Sequence, residues 1–560
     1  MTLAPWLLEQ LQLQNNPGVM EESYVRERLN RHLPAEPHAY VLALVASAVT
    51  ADASYVKITN DSNDFVLLRD GRTPTPEELE GLFGHMLHSG ALPERAYLVD
   101  LAVGLNAAMA MNPKSVTVET WGSWGGSRYQ LLGTGHKLEA LKTGFTDPRA
   151  TFRVQVREPR RLTKLMKMVT GFPPEGDLIA RMCAQATPKI TVNGQSINRK
   201  VDLGRCLVTS RWTRPGIVMP GESVVGDPLE KSRSSPANFA SSLGLGRPGD
   251  ETRLHFLVDG IAFPDPDPDL PFVELRGLVH CPGLKRHLNL SGVLEDEEWQ
   301  QLMGHLREQV VEMAEAAAGA FDAMDSEAQL AAASILEQLA DVACERGGTE
   351  TAQALLHKVL ATREHAMRVD DPRLTATFMK LAQLCEDRGD QEQALRLYRR
   401  VLPHLDNQAQ HHLERRNPKE ALEVLERAVA VHEKIDPEDV ELGQRVLELA
   451  QHYRQDQLGR AETLYHRALS LLERGLGPDH ERVGAALLSL ADLYRVQRDF
   501  RGAVGYSRRA LEIAEKHHGQ DGKYLYPYLH QMAELLKGMG EYGESLGYSE
   551  RALMAKHGRL

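Results

Sequence analysis

Apolar positions divide the chain in two. Beyond about residue 325 they recur three and four apart, the mark of amphipathic helices. The helical pattern itself repeats. Ala468, Ala510 and Ala552 are each 42 residues apart, as are Ala352 and Ala394, and Val359 and Val401. In "LLSLADLYRVQRDFRGAVGYSRRAL", Leu490, Ala491 and Tyr494 share one face of a first helix, and Ala503, Ser507 and Ala510 one face of a second. Small residues stand where two helices must approach closely, and aromatics fill the gaps. Six units are predicted, beginning near residues 331, 374, 406, 442, 484 and 526, with the third compressed. Such a unit cannot bury its apolar face alone. Stacked units make an all-α superhelix with an extended concave surface, expected over 323–560.

Before residue 323 the pattern is mixed. Tyr40 to Thr50 reads as an apolar helix running into a strand, followed by the strand "DFVLL" and the turn "RDGRT". "AYLVDLAVGLNAAMAMNPKSVTVET" reads as a Gly-containing loop opening a helix, then a strand in which Val116 and Val118 alternate. Two more strands are expected around Lys137–Leu141 and Thr151–Val156. This order predicts an α+β sandwich over 1–160. "CAQATPKITVNGQSI", "RLHFLVDGIAF" and "GVLEDEEWQQLMGHL" predict a second α/β domain over 161–322.

Composition narrows the function classes. Sixty-five Lys and Arg against 77 Asp and Glu give a net charge of −12, unlike a dedicated nucleic-acid binder. The basic stretch "REPRRLTKLMK", 157 to 167, reads as a solvated helix face. No apolar run near the start approaches the roughly 20 residues of a membrane span, and no basic region precedes an apolar patch, so neither membrane nor signal peptide is expected. Five cysteines without a CxxC pair point to reduced thiols, no structural metal and a cytoplasmic setting. "GLGRPG", 244 to 249, reads as a surface loop, since a dinucleotide loop follows a strand and opens a helix. "FPDPDPDLP", 263 to 271, reads as a stiff exposed loop. His411–His412 and His517–His518 read as exposed helix histidines, because adjacent residues on a helix do not face each other. His280 and Cys281 point to opposite faces of a strand-like run and make a poor nucleophile pair.

The 42-residue units resemble the tetratricopeptide repeat, and phrases such as "ALSLLERGLGPDHERVGAALLSLADLY" are most similar to the long-helix variety of kinesin light chains. The resemblance implies a protein or peptide partner lying in a groove lined by the first helix of each unit. Its exposed residues are the candidates: Met379, Gln383 and Glu386; Leu447, Gln451 and Arg454; Leu488, Asp492 and Arg495; His530 and Glu534. The Lys and Asn clamp of chaperone-tail binders is absent. Lys380, Glu448, Ser489 and Gln531 stand where kinesin light chains carry an Asn ladder.

The front half, with "VDLAVGLNAA" at 99–108, resembles the GHKL ATPase superfamily, closest to bacterial relatives of the ninety-kilodalton heat-shock chaperone. The resemblance implies an ATP pocket, but its residues are largely replaced. Ala43, Ser47 and Thr50 occupy the positions of the family's catalytic Glu, magnesium-binding Asn and Asp; alanine cannot act as a base. Arg69 stands where an Asp accepts the adenine amino group, and Arg has no acceptor. Asp70 and Gly71 follow it; Gly104 survives from the phosphate loop, and Thr151 matches a late threonine near the adenine. The expectation is a vestigial pocket with no catalytic residue and no cofactor. Two alternatives stand beside it. One is ATP binding, with Asp70 or the lid acids Glu77, Glu78 or Glu80 replacing lost groups. The other is a different anionic ligand paired to Arg69 or Arg72.

Overall fold

The computed structural model describes residues 30, 33–34 and 36–557, except 62–63, 84–94, 133–134, 158–173, 266–267, 273, 288, 455–456 and 520–522. The chain forms two compact units, Met1–Leu339 and Ala340–Leu560.

The first unit holds two sheets. Strand β1 (Tyr55–Asn60) pairs antiparallel with β2 (Asp64–Arg69), and their inward positions alternate. Val56, Ile58, Phe65 and Leu67 are fully buried. The other strands of this sheet are β3 (Ser115–Gly122), β4 (Gly125–Leu132), β5 (Gly135–Leu141), β6 (Phe152–Arg157), β7 (Lys189–Val192) and β8 (Gln195–Ser196). Their spatial order is β5-β4-β3-β6-β2-β1-β7-β8. Only the β1–β7 pair is parallel among those joining the eight. The sheet thus takes in strands beyond residue 160, where the sandwich was expected to end. Helices α1 (Tyr40–Thr50) and α3 (Ala96–Ala110) pack on each other. A short helix α2 (Pro76–Glu80) carries a capping box between Thr75 and Glu78. Helix α4 (Pro174–Met182) packs against α1.

One expected loop is helix. Helix α3 begins at Ala96, so "VDLAVG" lies within it and Gly104 is buried mid-helix. The apolar run 97–108 is continuous, and a single glycine does not break a helix whose surroundings bury it.

The second sheet has the order β10-β9-β12-β15-β13-β14, with β11 also on β9. Its strands are β9 (Val201–Thr213), β10 (Glu222–Val225), β11 (Leu229–Ser234), β12 (Ala240–Gly246), β13 (Arg253–Val258), β14 (Ile261–Asp265) and β15 (Leu275–His280). Helix α5 (Glu297–Ala320) is N-capped by Asp296 and packs against β9, β11 and β12. Its buried Gln309 accepts from Ser241 Oγ at 2.7 Å and donates to Ser210 Oγ at 2.9 Å. Two loop expectations change here. Gly244–Gly246 end the buried strand β12, and only Arg247–Gly249 form the turn. Phe263–Asp265 belong to β14, where Pro264 is tolerated because the strand is an edge. "REPRRLTKLMK" lies outside the described residues apart from Arg157.

The second unit opens within α6 (Ser326–Glu345) and continues through α7 (Thr349–Ala366), α8 (Pro372–Asp387), α9 (Gln391–Glu414), α10 (Pro418–Ile435) and α11 (Val440–Tyr453). It ends with α12 (Leu458–Leu476), α13 (Glu481–Val496), α14 (Phe500–His518), α15 (Tyr526–Met539) and α16 (Tyr542–His557). The 42-residue anchors are core: Ala352, Ala394, Val359, Val401, Ala468, Ala510 and Ala552 are all buried. The third start, near 406, opens no helix of its own. It falls inside α9, which runs through Pro403 for 24 residues. Val401, Leu402, Leu405, Gln408 and Ala409 keep one inward face across that point, so packing holds the helix together.

Candidate functional site

The expected pocket positions in the first unit are occupied with internal contacts. Ala43 is fully buried in the α1–α3 crossing; a Cβ added to Gly104 would stand 3.3 Å from the Ala43 Cβ and 2.9 Å from Leu44 Cδ2. Gly104 therefore serves close helix approach. Ser47 Oγ donates to the Tyr97 carbonyl at 2.8 Å. Thr50 Oγ1 donates to the Ala46 carbonyl at 2.8 Å and lies 3.2 Å from Asp100 Oδ2.

The turn after β2 is built the same way. Asp70 Oδ1 accepts from the Ser54 amide at 2.7 Å and the Tyr55 amide at 3.3 Å, and Asp70 Oδ2 accepts from Ser54 Oγ. Partial burial pushes the Asp70 carboxyl up, but the Ser54 and Tyr55 donors outweigh it and hold it below the usual range. Gly71 sits at φ +84°, and a Cβ there would lie 2.5 Å from the Ala51 carbonyl. Thr151 donates its amide to the Arg69 carbonyl at 3.0 Å and its hydroxyl receives Thr73 Oγ1 at 3.0 Å. Glu78, one of the lid acids, closes the capping box and accepts from Tyr97 OH at 3.3 Å.

Arg69 differs most from expectation. It is 0% exposed, at an inward position of β2 after Phe65 and Leu67. Its Nη1 donates to the carbonyls of Asp70 at 2.9 Å and Arg72 at 2.6 Å. Its guanidinium lies 4.1 Å from the Phe152 ring centroid. Nε and Nη2 have no hydrogen-bond partner among the described residues. Burial pulls its pKa down to about 9. Arg72 is exposed and pairs with Asp52 at 2.9 Å. The alternation Phe65, Leu67, Arg69 carried the signal that Arg69 points inward.

A second cluster lies beside Thr50. Asp100 on α3 pairs with Arg286, whose Nε is 3.3 Å from Asp259 Oδ2. Asp100 and Arg286 are both buried. Burial raises the Asp100 carboxyl to about 6 although Arg286 opposes the shift. Burial works against the Arg286 charge, but Asp100 and Asp259 hold its pKa up. Next to them is a cavity of about 150 Å³, lined by Thr50, Thr187, Asp259, His280 and Cys281 among others. His280 and Cys281 both line it rather than facing opposite ways, because β15 ends at His280 and Cys281 lies beyond it; burial raises the Cys281 thiol and lowers the His280 imidazole. Among the described residues no group of His, Cys, Asp and Glu could hold a metal ion. The sequence offered one sign of this cluster, a lone acid at position 100 in an apolar helix.

In the second unit, two groups of the groove candidates lie in charged clusters. Lys434 Nζ on α10 donates to Glu386 Oε2 at 2.6 Å, Gln383 Oε1 at 3.3 Å and Tyr398 OH at 2.9 Å. Met379, half-buried, lies one helical turn before Gln383 on α8. Asp492 pairs with both Arg454 and Arg495, the latter at 2.6 Å. Gln451, His530 and Glu534 are exposed; His530 stacks on Tyr526 with centroids 5.6 Å apart, and Glu534 lies 3.7 Å from Lys537. Leu447 is a correction: it is buried in the helix core, because its turn of α11 faces inward with Val446 and Ala450. Leu488 is half-buried. The paired histidines also have partners. His411 Nδ1 is 2.8 Å from Asp370 Oδ2, and His518 Nε2 is 3.0 Å from Glu481 Oε1. No described helix is long and apolar enough to cross a membrane.

No curated protein matches the sequence. Solved structures similar to the chain include a putative kinesin light chain of Podosopora anserina with nearly identical tetratricopeptide-like repeats. It shows 20% identity over 40% of this chain and 93% of that one, with a TM-score of 0.24. BtubC from P. vanneervenii shows 23% identity over 44% and 87%, with a TM-score of 0.22. MamA shows 18% identity over 33% and 96%, with a TM-score of 0.23. The family described as Tetratricopeptide repeat matches at residues 331–407 and 444–516. The gap between the two matched segments contains the compressed third unit, and the flanking helix pairs are tetratricopeptide repeats.

Proposed function

We propose that the chain is a protein-interaction scaffold, with repeats that hold a protein or peptide segment and a front half that is a GHKL-type layer without hydrolytic chemistry. The observation that carries the reading is the Ala43–Gly104 contact. The position of the expected base is a fully buried methyl group packed in a helix crossing, and alanine has no oxygen to act as a base. Support for the binding surface comes from the Gln383–Glu386–Lys434 and Arg454–Asp492–Arg495 clusters. Their charges lie partly exposed on the first-helix side and can be exchanged for a partner's.

Two measurements test it. Thermal unfolding of the full chain with millimolar ATP, ADP and magnesium should show no shift, and no phosphate should be released. Saturation to one hundred times a dissociation constant would add about 2.7 kcal/mol, and that shift would restore the ATP-binding alternative. A photo-crosslinker at Gln451 should capture the partner, and one at Arg396, on the second helix of its unit, should not.

One observation favours a second reading of the front half. Two nitrogens of Arg69 lack a hydrogen-bond partner among the described residues, and a planar guanidinium suits a carboxylate or phosphate. Millimolar phosphate or citrate would then raise the melting temperature of the native chain and not of Arg69→Met.

A further inference from the structure

Four first helices of the repeats carry the same short phrase at equivalent places: "LAQ" at 381–383 on α8, "LAQ" at 449–451 on α11, "LAD" at 490–492 on α13 and "MAE" at 532–534 on α15. Three residues beyond each phrase stand Glu386, Arg454, Arg495 and Lys537. This groove position is therefore acidic on α8 and cationic on α11, α13 and α15. The acid on α8 is answered within the chain, because Lys434 of α10 donates to Glu386, Gln383 and Tyr398 OH. Farther along, the three cations meet two acids. Arg454 and Arg495 share Asp492, and Lys537 lies 3.7 Å from Glu534. The side chains of Arg454, Arg495 and Lys537 are 38%, 43% and 60% exposed, so a partner can reach all three.

A buried hydroxyl stands beside this row. Tyr465 holds the place in α12 that Tyr398 holds in α9, each four residues after a buried alanine, Ala461 and Ala394. Tyr398 OH receives Lys434 Nζ at 2.9 Å. Tyr465 is 1% exposed, and its hydroxyl has no hydrogen-bond partner among the described residues. Burial lifts its pKa to about 12, and Arg454 and Asp492 are near enough to act on it with opposite signs. A buried hydroxyl left unpaired is unfavourable, yet this one lies beside an ion pair that is open to solvent.

We infer that the last three first helices hold an acidic segment of a partner protein on Arg454, Arg495 and Lys537, and that Tyr465 takes over Asp492 when Arg454 turns to the partner. The inference rests on the scaffold reading and adds the place, the sign of the charge and an exchange of partners. The planar fork of arginine suits a carboxylate. When Arg454 leaves Asp492 for a carboxylate of the partner, Asp492 loses one donor. The Tyr465 O–H, which donates to no described residue in the free protein, then donates to Asp492. Two charge-assisted hydrogen bonds replace one, so the exchange favours the complex where a bare swap of carboxylates would be neutral.

The test is fluorescence anisotropy of a labelled hexaglutamate peptide with the full chain. At about 0.1 M salt the chain's distant acids are screened and contact pairs persist. Hexaglutamate should bind with a Kd of about 10–100 μM, and hexalysine at least about tenfold more weakly. Arg454→Gln with Arg495→Gln should lose at least about tenfold, and partly exposed side chains leave the fold intact. Asp492→Asn removes the competing charge and should tighten binding at least about twofold. Tyr465→Phe should weaken binding about fivefold with an unchanged melting temperature, because its hydroxyl bonds nothing described in the free protein. No binding at about 1 mM hexaglutamate, a preference for hexalysine, or binding indifferent to the double arginine variant overturns the acidic partner. Native affinity in Tyr465→Phe overturns the exchange. The crosslinker at Gln451 judges the scaffold reading separately: a captured partner indifferent to the double arginine variant leaves that reading standing and removes this inference.

Discussion

Gly104 on α3 and Ala43 on α1 meet across a helix crossing so close that a second β-carbon would sit 3.3 Å from the first. Both residues lie at positions that the resemblance assigns to a nucleotide pocket, and both are explained by packing. Gly104→Ala should destabilise by about 1 kcal/mol, because its Cβ would stand 2.9 Å from Leu44 Cδ2, 3.1 Å from Leu44 Cγ and 3.3 Å from Ala43 Cβ in a buried crossing, which outweighs the gain in helix propensity. Gly104→Val should destabilise by about 2–3 kcal/mol through overpacking. Ala43→Glu buries a carboxylate with no partner and should cost several kcal/mol without producing ATP hydrolysis. Denaturant melts with a phosphate-release assay check all three.

Asp70 gives a pH signature. Its carboxyl is held below the usual range, so its stabilisation is present above the unfolded value of about 3.9 and is lost as pH falls through the lower folded value. Asp70→Asn should cost about 1–2 kcal/mol near neutral pH, since a charged acceptor of the Ser54 and Tyr55 amides becomes neutral. The gap between variant and native melting curves should close below about pH 4.

Asp100 titrates with the opposite sign. A carboxyl raised to about 6 by burial favours the protonated folded state, so its contribution is greatest below the unfolded value and declines as pH rises from about 4 to about 6. Arg286 limits that loss. Arg286→Met removes the counter-charge from Asp100 and Asp259 and should destabilise by about 3–5 kcal/mol at pH 7. The deficit should shrink at pH 5, where Asp100 takes up a proton. An equal deficit at both values would count against the pairing.

Arg69 separates stability from function. It is buried with two nitrogens unsatisfied among the described residues, and such groups cost more than an apolar side chain of similar volume. Arg69→Met, which keeps the contact with Phe152, should raise stability by about 1 kcal/mol. A loss of similar size would show that the two carbonyl contacts outweigh the desolvation of the guanidinium.

The repeats were legible because a 42-residue period writes the same helix pair several times, and a core face recurs at Ala468, Ala510 and Ala552. The alternation in β2 likewise places Arg69 inward, although its identity as an arginine drew attention to ligands. The helix start at Ala96 was not legible: glycine and small residues at 102–108 serve equally for a phosphate loop or a close crossing, and only the packing of α1 decides. The Asp100–Arg286 pair joins residues 186 positions apart, and nothing local to either names the other.

The same period predicts how the repeat unit holds together. Arg467, Arg509 and Arg551 are 42 residues apart, and each reaches back to the second helix of the preceding unit: to Glu433 at 2.6 Å, Glu473 at 2.6 Å and Glu515 at 2.5 Å. Arg400 and Glu364 make the equivalent pair. Glu473 and Glu515 keep the 42-residue spacing, whereas Glu433 and Glu473 are 40 apart. All these side chains are partly exposed, so each pair contributes no more than about 1 kcal/mol. A double-mutant cycle on Arg509 and Glu473 should give a coupling of about 0.5 kcal/mol that vanishes in 1 M salt. Changing Arg467, Arg509 and Arg551 together to Met should do more than lower the melting point. In a stack where each unit contacts only its neighbours, weakened interfaces let units open separately. Hydrogen exchange in α15 and α16 should then quicken ahead of α11 and α12, whereas uniform quickening would show that the apolar anchors alone set cooperativity.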